Sequence, residues 1–179
     1  DDDEKREARR ELEEQQLVSL LNLLQDKRAA RDSNTDGEEA EPGPVHLIGT
    51  GPGDPELLTL KAVRLMGKAD LVLYDRLVAP EVLEHINPNA RLIYVGKREG
   101  YHTRTQDEIH EILVQFAQAG ATVIRLKGGD PLVFGRGEEE AEYNAAHNVP
   151  VHIVPGNTSA SGVAKQMCRN SLREMSRPL

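Results

Sequence analysis

The chain lacks most of the residues that announce chemistry on their own. Cys168 is its single cysteine, which excludes a disulfide framework and a zinc site built on paired thiolates. So little cysteine fits a reducing compartment. Tryptophan is absent and aromatic residues make up 3% of the 179 residues, so the few present, Tyr94, Tyr101 and Phe134 among them, read as packing rather than recognition. Six histidines (His46, His85, His102, His110, His147 and His152) fall at no metal-binding spacing. Only His102, in a loop among basic residues, is a site candidate. No stretch approaches the ~18 consecutive apolar residues of a membrane helix. No charged-then-apolar leader opens the chain, which begins Asp1-Asp2-Asp3. The reading is therefore a soluble protein, away from membranes; the missing initiator Met fits a processed or partial chain.

Positive charge is also scarce. The formal net charge is −8, and residues 1–44 hold 14 acidic against 7 basic side chains, so nearly all of it lies in the amino-terminal arm. The near-neutral remainder lacks the basic face that phosphate-driven affinity needs, which argues against a nucleic-acid partner.

What is present is punctuated by glycine. VHLIGTGPGD (45–54), VIRLKGGDP (123–131) and VHIVPGNTSA (151–160) each run from an apolar strand into a Gly/Pro loop and on toward a helix. If the three strands are parallel, their loops line one crevice outside the carboxyl ends of a sheet, where ligands of open α/β sheets bind. Around these units, residues 4–31 read as a helix with an apolar stripe of Leu17, Leu20, Leu21 and Leu24, taken as a solvated extension; residues 32–44 form a polar linker, with the boundary near Pro44. Deleting the arm and linker, 1–44, should leave the α/β domain of 45–179 folded. Thr59 caps a helix to about Lys68 with Leu60, Val63, Leu65 and Met66 inward. Strands follow at 71–74, 91–95 and 122–126, and the third strand–loop unit occupies 150–160. A short helix covers 80–86, and Thr105 with Glu108 forms a capping box for a helix with Ile109, Ile112, Leu113 and Phe116 on one face, stopped by Gly120. Helices are expected over 137–147, which contains Glu138, Glu139, Glu140 and Glu142, and over 159–168. The alternation gives an α/β fold with a mostly parallel sheet and helices on both faces, preceded by a helical arm.

Gly49, Gly51 and Gly53 with Asp75 further on suggest a dinucleotide-binding oxidoreductase domain. That fold, however, starts its helix at the last glycine, so that free N–H groups meet the pyrophosphate. Pro52 and Pro55 delay the helix here and remove donors, which suits a ligand without phosphate. Asp75, after four apolar residues at a strand end, is either a proton acceptor or half of an ion pair with Arg76 or a cap; position alone leaves both open. Lys97 and Arg98, at another strand end, either bind an anion or are solvated. Asp54 and Asp130 either hold ligand amines and hydroxyls or close Asx turns.

GTGPGDPELLTLKA, LYDRLV, YVGKREGYHTRTQDEI, LKGGDPLVFGRG and VPGNTSASG, in this order, resemble the uroporphyrinogen-III C-methyltransferases of the tetrapyrrole methylase family, over about residues 45–162. The resemblance implies S-adenosylmethionine as cofactor and a tetrapyrrole substrate methylated twice to precorrin-2, for siroheme and cobalamin. It implies Asp75 as proton acceptor and Lys97 as proton donor. It places cofactor contacts at Pro52, Gly128, Gly129, Asp130, Val133, Thr158 and Ser159. For a polycarboxylate substrate, Arg76, Lys97, Arg98, Arg104 and Arg136 are the binders. The family forms homodimers, and GYHTRTQDEIHE is most similar to plant and algal members, so the compartment is cytoplasm or plastid stroma. Three departures stand out: Gly137-Glu138 where the family has Gly-Gly, Asn157 in place of Ile, and after Gly162 an unrelated tail where the family continues into a second domain that completes the pocket, the substrate trough and the dimer. The expectation is weak cofactor binding and impaired activity for the chain alone, with a non-catalytic interaction module as the alternative.

Overall fold

A computed structural model describes residues 2–33, 41–97, 104–133 and 136–158. Two of its strands, β1 (Val45–Gly49) and β4 (Val123–Lys127), are buried along their whole length. Such strands need cover on both faces, which is why VHLIG and VIRLK show no alternation of the half-buried kind. With β2 (Leu71–Tyr74), β3 (Arg91–Tyr94) and β5 (Val151–Val154) they form a sheet in the order β3-β2-β4-β1-β5. Every pairing is parallel, with Val45 beside both Val123 and Val151, and Leu71 beside both Val123 and Arg91. Pro150 and Pro155 bracket β5.

The helices divide by the direction in which the chain travels. The connections that run outward toward β3 contain α2 (Leu60–Met66) and α3 (Pro80–Leu83). They cover one face, where Ala62, Met66 and Val82 meet Ile48, Val72, Ile124 and Leu126. The connections that run back toward β5 contain α4 (Gln106–Gln118) and α5 (Gly137–Ala146). They cover the other face, where Leu113, Phe116 and Ala117 meet Val45, Leu47, Leu71 and Val123. Crossovers of a single hand give this division. The capping box is present in full: Thr105 Oγ1 accepts from the Glu108 N–H at 3.2 Å, and Glu108 Oε2 accepts from the Thr105 N–H at 2.6 Å. Gly120, at φ +88°, ends the α4 region.

Three expectations need correction. Leu60 is 82% exposed, and Ala62 with Met66 forms the inner face of α2 instead, because the cap at Thr59 turns the first residue outward. The helix expected over 80–86 ends at Leu83. The arm, α1 (Asp2–Ser33), is more than a solvated extension: Leu20, Leu23 and Leu24 pack on the α4 side of the core, and Lys27 Nζ lies 2.7 Å from Asp70 Oδ2. Leu17 and Leu21 are exposed, so the buried stripe is rotated away from the expected one. Gly43 is buried, its N–H bonded to Ala117 O at 2.7 Å, so the chain joins the body just before Pro44. The helix expected over 159–168 lies outside the described residues. None of the described helices is long and apolar enough to cross a membrane.

The packing of α1 predicts an asymmetry. Leu24→Ala should lower the unfolding free energy by about 1 kcal/mol, the worth of a half-buried leucine, whereas Leu21→Ala should change it by less than ~0.5 kcal/mol; urea unfolding of the two variants measures both.

His46 gives a second prediction. It is buried on β1, its ring stacked on His152 at 5.2 Å, and Nδ1 has no hydrogen-bond partner among the described residues. Burial, then the neighbouring His152 and Lys61, push its pKa down from 6.5 to about 4. Below pH 6.5 the unfolded chain takes up a proton that the folded chain refuses until about pH 4. Stability is therefore full above 6.5 and falls through this window, by up to ~3 kcal/mol. Unfolding midpoints measured across that range should slope downward toward acid in the native sequence and flatten in His46→Leu.

Candidate functional site

The strand order sets β4, β1 and β5 side by side, so their three glycine loops leave the sheet together. Gly51 and Gly129 then exchange both backbone hydrogen bonds, Gly51 N to Gly129 O at 3.1 Å and Gly129 N to Gly51 O at 2.8 Å. Thr50 adds two more, its N–H and its hydroxyl both donating to Lys127 O at 2.9 and 3.1 Å. The third loop is tied in by Asp130, whose Oδ2 accepts from Gly156 N at 3.2 Å. Glycine is required where these backbones touch. A Cβ on Gly49 would lie 2.6 Å from both Gly129 O and Gly156 N, and one on Gly156 would lie 2.4 Å from Gly129 O. Gly51 (φ +70°) and Gly129 (φ +69°) also occupy the left-handed region that side chains avoid.

Asp54 and Asp130 both close Asx turns. Asp54 accepts from Glu56 N at 3.0 Å and caps a 3-10 turn (Pro55–Leu57), while Asp130 Oδ1 accepts from Leu132 N at 2.9 Å. Helix α2 begins only at Leu60, its cap Thr59 already accepting from Ala62 N. No helix N-terminus therefore follows the first glycine loop directly, and a pyrophosphate there would lack the donors a dinucleotide fold supplies. What the loops do offer is exposed Pro52, Leu132 and Val133 with half-buried Gly128 and Thr158, a surface suited to an uncharged or cationic ligand without phosphate.

The expected proton-handling residues sit at the same edge of the sheet. Asp75 follows β2 and Lys97 lies three residues past β3; the two strands pair directly, Tyr74 beside Tyr94, and Val95 N donates to Tyr74 O at 2.8 Å. Asp75 Oδ1 accepts from Leu77 N at 2.9 Å, and Oδ2 accepts from Arg125 Nη2 at 3.2 Å. The ion pair is thus with Arg125, reaching across from β4, and not with Arg76, which is exposed. Leu77 in turn packs over Gly128, where a Cβ would lie 2.7 Å from Leu77 Cβ. Lys97 is exposed and Arg104 half-buried just before α4. Arg136, at φ +53°, is exposed ahead of α5 and is held by Glu139, with Nη2–Oε2 at 2.7 Å and Nε–Oε1 at 3.0 Å. That guanidinium keeps the Glu139 carboxyl below its ordinary range. Arg98, His102 and Ser159 lie outside the described residues.

Reasoning from the sequence missed a buried charged cluster behind Asp75. Arg125 and Lys127 point from β4 toward α5, where Glu140 is fully buried. Glu140 Oε1 accepts from Lys127 Nζ at 2.9 Å and from Gln106 Nε2 at 3.0 Å, and lies 3.5 Å from Arg125 Nε. Burial pushes the Lys127 ammonium below its ordinary range, and Glu140 offsets part of that shift. The signal was there: two cations at alternate positions of an otherwise apolar strand must share one face and find a buried anion.

A family model described as "Tetrapyrrole (Corrin/Porphyrin) Methylases" matches residues 44–169. The chain is 58% identical over 152 residues to the chloroplastic S-adenosyl-L-methionine-dependent uroporphyrinogen III methyltransferase of Arabidopsis thaliana, covering 85% of this chain and 40% of that protein. It is 58% identical over 123 residues to a siroheme synthase of Pseudomonas fluorescens (strain SBW25), covering 69% of this chain and 26% of the relative. Among solved structures, the uroporphyrin-III C-methyl transferase of Thermus thermophilus complexed with S-adenyl homocysteine superposes with a TM-score of 0.57 at 55% identity, over 65% of this chain and 49% of that one. The chain thus spans less than half the length of these relatives.

The glycine contacts predict a test. Gly156→Ala should cost about 2 kcal/mol or more, since its Cβ meets backbone that cannot step aside. Gly67→Ala, whose Cβ would meet nothing closer than 3.6 Å at φ −67°, should be neutral or stabilise by a few tenths. Thermal unfolding distinguishes the two.

Proposed function

The chain belongs to the tetrapyrrole (corrin/porphyrin) methylase family, and from that premise we propose that it serves S-adenosylmethionine-dependent C-methylation of uroporphyrinogen III to precorrin-2, in siroheme and cobalamin synthesis. The observation that carries the reading is the fusion of three glycine loops through the Gly51–Gly129 bridge and the Asp130–Gly156 bond, with helix α2 starting only at Leu60, well after the first of them. Pro52, Gly128, Gly129, Asp130, Val133, Thr158 and Ser159 hold the cofactor. Pro52 and Pro55 fit such a group, since they withdraw donors that a sulfonium does not need. When bound there, S-adenosylmethionine supplies an electrophilic methyl group.

The chain's own residues do the rest. Arg76, Arg98, Arg104 and Arg136 meet the carboxylates of the substrate. Asp75, its carboxylate fixed through both oxygens, takes up the proton that a pyrrole carbon sheds once it carries the new methyl. Lys97, on the neighbouring strand end, is the acidic counterpart. A plastid stroma is the compartment that goes with this reading, in line with the chloroplastic Arabidopsis relative.

Calorimetric titration with adenosylhomocysteine and, in parallel, NAD is the first test: adenosylhomocysteine should bind with Kd on the order of tens of micromolar, about −6 kcal/mol, and NAD should not. In a methyl-transfer assay on the chain completed with a family second domain, Asp75→Asn should lower turnover by ~10²–10⁴ while leaving adenosylhomocysteine affinity nearly unchanged. NAD binding without a response to adenosylhomocysteine would overturn the reading in favour of a dinucleotide domain.

A further inference from the structure

We propose that Arg125 is a positioning residue that fixes the Asp75 carboxylate at the mouth of the site, and that Glu140 holds Arg125 in place from behind. The proposal rests on the reading of Asp75 as the proton acceptor.

Four charges form one unit. Arg125, Lys127 and Glu140 have side chains only 6%, 7% and 1% exposed, while Asp75, at 22%, is the member that reaches the surface. Arg125 spans the group: Nη2 meets Asp75 Oδ2 at 3.2 Å, Nη1 donates to Leu126 O at 2.7 Å, and Nε lies 3.5 Å from Glu140 Oε1. A planar guanidinium held by two hydrogen bonds, with a carboxylate beside its third nitrogen, has one orientation, and it sets where the Asp75 oxygens sit. The Leu77 N–H fixes the other oxygen. The back of the unit is fixed as firmly. Gly137 opens α5 with its Cα hard against Pro131 O, where any Cβ would collide, and Glu140 follows one turn later. Gln106, the first residue of α4, donates to the same Glu140 oxygen.

This unit is a poor device for stability alone. Buried ion pairs rarely outperform apolar packing of the same volume. Glu140 Oε2 accepts no hydrogen bond among the described residues, and Arg125 Nε donates none. Such incomplete satisfaction beside a ligand loop points to a task other than holding the fold. The charge count supplies the task. With Asp75 ionised the unit is neutral, two cations against two anions. When the substrate C–H bond breaks and its proton moves to Asp75, one buried positive charge is left uncompensated. The task is thus one of placement: the guanidinium keeps the charged carboxylate oriented at the mouth of the site until the proton arrives.

Two measurements on the full chain test this. In the first, side-chain NMR of the nitrogen-15-labelled chain follows the Arg125 guanidinium. Its Nη protons should give resolved, slowly exchanging signals, and Asp75→Asn should shift those of Nη2 and speed their exchange while sparing those of Nη1, which Leu126 O holds. In the second, methyl transfer is measured for Arg125→Gln and Arg125→Lys. The Gln variant should lower turnover roughly tenfold with KM for S-adenosylmethionine unchanged. Arg125→Lys, which restores the charge without the fork, should recover only part of the turnover. Native turnover in Arg125→Gln, or guanidinium signals indifferent to Asp75→Asn, would overturn the proposal. Absence of methyl transfer in the native chain is the impaired activity expected of a chain that spans less than half of its relatives, and the guanidinium signals would then decide the positioning.

Discussion

The contact of three glycine backbones, Gly49, Gly129 and Gly156, is the constraint from which the site follows. Strands in a parallel sheet are spaced by their hydrogen bonds, and loops leaving them normally diverge. Here the absence of side chains lets the loops close on one another after the strands end, so that Gly51 and Gly129 pair in the opposite sense to the sheet beneath them. The exposed Pro52 and Val133 and the half-buried Thr158 above that contact take their positions from it. The family match falls on the part of the chain that contains this contact.

Much of this was legible from residue order. Glycine after a run of apolar residues marks a strand end in any context, and Thr105 with Glu108 three residues later describes its own capping geometry; both signals are local, and the structure has both where they were expected. The three loops were expected to line one crevice if their strands were parallel, and the strand order makes them neighbours.

What was not legible depends on partners distant in sequence. Asp75 looks the same whether it faces Arg76 or a guanidinium fifty residues away on β4, and only the sheet order decides. The acidic run 138–142 gives no hint that Glu140 alone turns inward, because helix α5 has little apolar periodicity to orient it; Lys127 and Arg125 do the orienting. In α1 the leucines at 20, 21, 23 and 24 offer overlapping stripes. The choice of Leu23 over Leu21 is made by the surface the helix lands on, where Lys27 meets Asp70.

The prolines that bracket β5 matter beyond the strand itself. Among the described residues β5 pairs on one side only, with β1, so its outer row of amides and carbonyls borders the sheet. Proline has no N–H to offer, and Pro150 and Pro155 hold the strand to four residues. A passing strand from another molecule would find a template too short to hold it, and could not lengthen the pairing in either direction. Among the described residues the β5 margin, the one nearest the glycine loops, is thereby a poor place for the sheet to grow from molecule to molecule.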